Sequence, residues 1–69
     1  MKLPILSARE VIKILCKRGY YVHNQKGSHI HLRHPTRLPL TVPNHHEIAR
    51  GTLKAIINDS GLELTDFIE

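Results

Sequence analysis

The chain has 69 residues, 41% of them hydrophobic, with only Tyr20, Tyr21 and Phe67 as aromatics. That length means one domain, residues 1–69, with a thin core built mostly from Ile, Leu and Val, since a chain this short buries only about 60% of its unfolded surface. The net charge of +4 and a pI near 9.7 point to an anionic partner, whereas the single cysteine excludes an internal disulfide and fits a reducing, cytoplasmic setting.

The first eleven residues, MKLPILSAREV, hold an apolar run of four, Leu3 to Leu6, interrupted by Pro4. That is too short for a signal peptide or a membrane span, so no membrane association is expected. Ser7-Ala8-Arg9-Glu10 has the form of a capping box. Ala8, Val11, Ile12 and Leu15 then follow at the spacing of one helical face. Lys17 and Arg18 suit a last turn, and Gly19 suits the left-handed residue beyond it. The spacing predicts a helix over Ser7–Arg18, with Cys16 packing as a small apolar side chain.

Tyr20 to Asn24 is rich in strand formers and too short for a helix. Gln25-Lys26-Gly27 reads as a turn. From Ser28 to Arg33 the residues alternate, with Ser28, Ile30 and Leu32 on one face and His29, His31 and Arg33 on the other. A further turn at Pro35-Thr36-Arg37 leads to a third strand, Leu38 to Val42. Pro39 cannot donate to a ladder, which predicts an edge position. The loops are too short for crossovers, so the strands should form an antiparallel meander.

After Pro43-Asn44-His45-His46, the residues Ala49, Leu53, Ile56, Ile57 and Ser60 fall on one helical face, and Gly61 again suits the residue past a helix end. Leu62 to Ile68 reads as a short terminal turn placing Leu64 or Phe67 on the core. The expected fold is α+β, in the order α-β-β-β-α: a three-stranded antiparallel sheet with both helices on one face. The other face is left open, carrying His29, His31 and Arg33.

Three of the six histidines crowd into the stretch NQKGSHIHLRHP, Asn24 to Pro35. A zinc site wants three or four N, S or O ligands, often with a cysteine or carboxylate. No acidic residue lies between Glu10 and Glu47, and Lys26, Arg33 and Arg37 repel a dication. The residues therefore suggest neither a metal site nor a cofactor. Phosphate chemistry fits better. Gly27 permits close backbone approach, Ser28 can donate to a phosphate oxygen, and Lys26, Arg33, His34 and Arg37 supply charge, with Lys2 steering more weakly. Imidazole exchanges protons near neutral pH. A ribonuclease that uses the ribose 2′-OH as its nucleophile needs no serine or cysteine. On these residues alone, a solvated strand face that binds RNA passively is an equal alternative.

The wider pattern is more specific. RGYYV (Arg18 to Val22), QKGSHIHLRHP (Gln25 to Pro35), VPNH (Val42 to His45), GTLKAII (Gly51 to Ile57) and DSGLELTDF (Asp59 to Phe67) resemble, in order and spacing, the HicA family of toxin–antitoxin systems. These are small mRNA interferases with a double-stranded-RNA-binding-like fold. The resemblance implies metal-independent RNA cleavage, with the His of the GSH-type motif, here His29, as the catalytic residue. It also implies a HicB-like antitoxin partner that covers the active face. Substrate contacts are expected from Lys26, Gly27, Ser28, His31, Arg33 and Arg37. Two features depart from the family pattern: His31, where a variable or apolar residue is expected, and the double His45-His46. His23 and His34 are expected on the surface, with His34 within reach of a phosphate.

Overall fold

The computed structural model describes residues 3–68. The weaker steering role expected of Lys2 falls outside the described residues. The elements are α1 (Ala8–Lys17), β1 (Tyr21–Lys26), β2 (His29–Arg33), β3 (Leu40–Pro43), α2 (Arg50–Ser60) and a 3-10 turn, Leu64–Phe67. The strands form one antiparallel sheet in the order β1-β2-β3. This is the α-β-β-β-α arrangement that the patterning predicts.

The capping box forms at α1. Ser7 Oγ accepts from Glu10 N at 3.1 Å, and Ser7 N donates to Glu10 Oε1 at 3.0 Å. Two donors that the first turn leaves without helical partners are thereby satisfied. The Glu10 carboxyl is held below its ordinary pKa, first by the Ser7 backbone N–H and then by the Ser7 hydroxyl. A depressed folded-state value means that the contribution is present above the unfolded value, about 4.3, and is lost as pH falls through the folded one. Ser7→Ala is expected to cost about 1 kcal/mol in a urea melt at pH 7. The advantage of wild type over Glu10→Ala should shrink as the melts are repeated at decreasing pH below 4; an advantage that grows in acid contradicts the assignment.

One core runs through the molecule. Val11, Ile14 and Leu15 of α1 pack with Leu53 and Ile56 of α2, with Phe67, and with Ile30, Leu32, Leu40 and Val42 of the sheet. Both helices therefore cover the sheet face that carries those four strand residues, and they lie towards its β3 side. Burial of these side chains is the main favourable contribution to folding.

Details differ from the expectations. Ala8, Val11 and Leu15 of α1 are buried as expected, Ile14 joins them, and Ile12 is only half-buried against the core. Cys16 is exposed rather than packed: the side chain next to buried Leu15 projects about 100° round the helix from it. Ala49 is exposed because it precedes the first turn of α2. The first strand extends to Lys26, so the loop is the two residues Gly27-Ser28 rather than Gln25 to Gly27. The third strand begins at Leu40, and Leu38 is 65% exposed.

Candidate functional site

The open face of the sheet is laid out by strand register. Residues directly opposite on paired strands share a face. His29 pairs with Lys26 of β1 and Pro43 of β3; His31 pairs with Asn24 and Thr41; Arg33 pairs with Tyr21. Three rows therefore lie side by side on the face away from the core: Lys26-His29-Pro43, Asn24-His31-Thr41, and Tyr21-Arg33.

A bulge makes this grid. The register of β1 against β2 shifts between Val22 and Asn24, leaving His23 as the extra residue. Unbroken alternation from Tyr21 would put Asn24 and Lys26 on the core side with Val22. The inserted residue reverses that and brings Lys26 beside His29. The sequence marks Lys26 as a substrate contact but places it in a turn rather than on β1, and it gives no sign that Tyr21, Asn24 and Thr41 share this face. A bulge leaves no simple mark in the sequence, although the strict alternation of β2 shows which face its partners must join.

The turn before His29 is tight. Gly27 has φ +58°, and no other described residue type adopts positive φ, so Ser28 does not. This is the φ pattern of a type II′ hairpin turn, with glycine at its first central position. A Cβ on Gly27 would meet nothing within 4 Å. The requirement there is conformational, and the space above the turn is open to a ligand. Gln25 Nε2 donates to Gly27 O at 3.0 Å, and Asn44 N donates to Ser28 O at 2.6 Å. The second bond ties the Gly27-Ser28-His29 corner to the Pro43-Asn44-His45 loop. That loop is held in turn at α1, where Ala8 N donates to His45 O at 3.0 Å.

Lys26, Ser28, His29 and Arg33 are exposed, with no side-chain hydrogen bond or ion pair among the described residues. His31 is half-buried, and its Nδ1 lies 3.1 Å from Thr41 Oγ1. An open groove of about 380 Å³ on this face is lined by Asn24, Lys26, His31, Arg33 and Thr41 among others. A second hollow continues from Arg33 to Tyr21, His34 and Arg37. No Asp or Glu lines either, so the track favours an anion. Among the described residues, no three His, Cys, Asp or Glu side chains gather as metal ligands do.

Two of the expected residues are engaged elsewhere. Arg37 Nη1 donates to Ser60 O at 2.9 Å, so the guanidinium serves the carbonyl end of α2 and only borders the second hollow. His34 is half-buried rather than a free surface residue. Its Nδ1 accepts from Thr36 N at 3.1 Å and from Arg37 N at 3.2 Å, and its Nε2 lies 3.0 Å from Arg18 O. Two N–H groups aimed at Nδ1 leave Nε2 to carry the hydrogen. The ring also packs on Tyr20, centroids 4.8 Å apart. Gly19, at φ +96°, lies under it; a Cβ there would come within 2.8 Å of His34 Nε2. With both nitrogens in use, His34 holds the β2–β3 loop to the end of α1. His34→Ala strips the acceptor from two solvent-accessible backbone donors and is expected to cost about 0.5–1.5 kcal/mol, read as a lower urea midpoint at unchanged m-value. An unchanged midpoint contradicts the latch.

A family model described as "HicA toxin of bacterial toxin-antitoxin" matches residues 8–62. The chain belongs to the HicA toxin family. The match covers α1, the whole sheet and α2, and so includes every residue of the open face. Membership makes the chain a toxin of a toxin–antitoxin system, with an antitoxin as its partner, and in general terms implies nuclease activity. No curated protein matches the sequence closely enough to count as a relative. No helix among the described residues is long and apolar enough to cross a membrane.

Proposed function

We propose that this HicA-family toxin is an endoribonuclease, an mRNA interferase, that uses the ribose 2′-OH as nucleophile and needs no metal. The observation that carries the reading is His29 itself. It is an exposed imidazole, unbonded among the described residues, one position past the Gly27-Ser28 turn and level with Lys26, on a face that no carboxylate lines. His29 exchanges a proton with the reacting ribose or leaving group. Lys26, the Ser28 hydroxyl and Arg33 hold the phosphate as negative charge builds on it, and the Gly27 backbone lets it approach. His31 lines the groove beside this corner, together with Lys26 and Arg33. Tyr21, 51% exposed beside Arg33, offers a ring on which an unpaired base can stack.

The partner implied by this surface is an antitoxin of the HicB type that presents acidic groups to the open face and excludes RNA from it. The site of action is the bacterial cytoplasm, where mRNA is translated.

The test is incubation of the purified protein with a defined RNA in EDTA. Cleavage with 2′,3′-cyclic phosphate and 5′-hydroxyl ends is expected. RNA that is bound in a salt-sensitive way but stays intact supports the other reading, a non-catalytic RNA-binding module, for which the cation-lined track and Tyr21 also suffice.

A further inference from the structure

In-line attack by a 2′-OH on its own phosphodiester needs two proton transfers on opposite sides of phosphorus. One group takes the 2′-OH proton, and another gives a proton to the departing O5′. One imidazole does not readily do both in a single step. The open face holds a second imidazole in position. His31 follows His29 by two residues on the same strand and face, a separation of about 6.6 Å along β2 from the strand rise.

His31 also differs from its neighbour in being oriented. It is half-buried between Asn24 and Thr41, and its Nδ1 lies 3.1 Å from Thr41 Oγ1. A doubly protonated ring can donate from Nδ1 to that hydroxyl oxygen while Nε2–H remains for the groove. The charged and titratable groups around it are His23 and Lys26 of β1 and His29 and Arg33 of β2. From β3 it meets the uncharged Thr41.

We propose that His31 is the general acid of the cleavage and that Thr41 is its positioning residue; this rests on the ribonuclease reading of His29. His29 takes the 2′-OH proton as the O2′–P bond forms. The P–O5′ bond breaks, and the Nε2 proton of His31 passes to O5′. The products are a 2′,3′-cyclic phosphate and a 5′-hydroxyl. His29 is left protonated and His31 neutral, and exchange with solvent restores both.

The test compares an ordinary oligoribonucleotide with one in which sulfur replaces the bridging O5′ at the mapped cleavage step. A thiolate leaves without protonation. His31→Ala and His31→Gln should lose about 10²–10⁴-fold on the oxygen substrate and recover most of it on the sulfur substrate. His29→Ala should recover little. Thr41→Val should lower kcat on the oxygen substrate more than on the sulfur substrate, at unchanged KM, because the ring is no longer held in place, while Thr41→Ser behaves like wild type. Circular dichroism confirms that each variant is folded. Equal losses on both substrates, or undiminished cleavage by either His31 variant, overturn the assignment alone. Wild-type protein that leaves RNA intact overturns the ribonuclease reading and this assignment with it.

Discussion

His29→Ala is expected to lower RNA cleavage by about 10²–10⁴-fold, the usual size of a general acid–base contribution, while leaving the fold at wild-type stability. The two halves of that result have separate causes. The imidazole is exposed at the start of β2, with no side-chain hydrogen bond among the described residues. Truncating it opens no cavity and orphans no buried donor, so the change in stability should stay within about 0.5 kcal/mol. The backbone pairing of His29 with Lys26 and Pro43 does not depend on the side chain. The measurement is cleavage of a labelled RNA by the purified variant beside a urea melt. A variant that cuts like wild type removes His29 from the chemistry. One that melts early and cuts poorly would show a structural role instead.

Phe67→Ala should have the largest effect on stability. Phe67 is 2% exposed and among the largest fully buried side chains, in the 3-10 turn that packs against α1. That turn is held by the Arg18–Asp66 ion pair, Nη2 to Oδ1 at 2.8 Å, with the arginine half exposed. A pair so exposed contributes little by itself, so the ring is the anchor. Removing a buried Phe costs about 3–5 kcal/mol. A domain of this size has about 3.5–10 kcal/mol in total, at 0.05–0.15 kcal/mol per residue. The loss takes a large share of that total, so the urea midpoint should fall steeply at unchanged m-value. Asp66→Asn, which weakens the ion pair and keeps the ring, should change stability by less than about 1 kcal/mol. If the two variants melt alike, the ring is not the anchor.

The fold was legible because each element carries a local signal. The Ser7-Glu10 capping box, the alternation of β2 and Gly61 past α2 each depend on nearest neighbours along the chain, and each appears where its pattern puts it. The misses fall where the local signal is weak. Ala49 and Cys16 are small side chains whose burial is set by neighbouring elements. Leu38 carries strand propensity, but pairing starts only at Leu40, beyond Pro39.

The residues of the candidate site stand out in the sequence as a group, but their layout does not. Clustered imidazoles and cations without carboxylates between Glu10 and Glu47 set off a basic stretch, and the family resemblance singled out His29. Which side chains share its face depends on how one strand is registered against another, and sequence spacing does not carry that. His34 and Arg37 looked equivalent to Arg33 as sources of charge. In the folded chain His34 bonds Arg18, Thr36 and Arg37, and Arg37 bonds Ser60, residues up to 23 positions away.

By itself, then, the sequence determined the element order, the antiparallel meander, the open face of β2 and its excess of basic side chains, since each follows from periodicity, capping and charge along the chain. The tertiary structure alone decided that Lys26 stands beside His29, that Thr41 meets His31, and that His34 is a latch. Those are contacts between strands and loops, set by one inserted residue at His23 and by the pairing register on either side of β2.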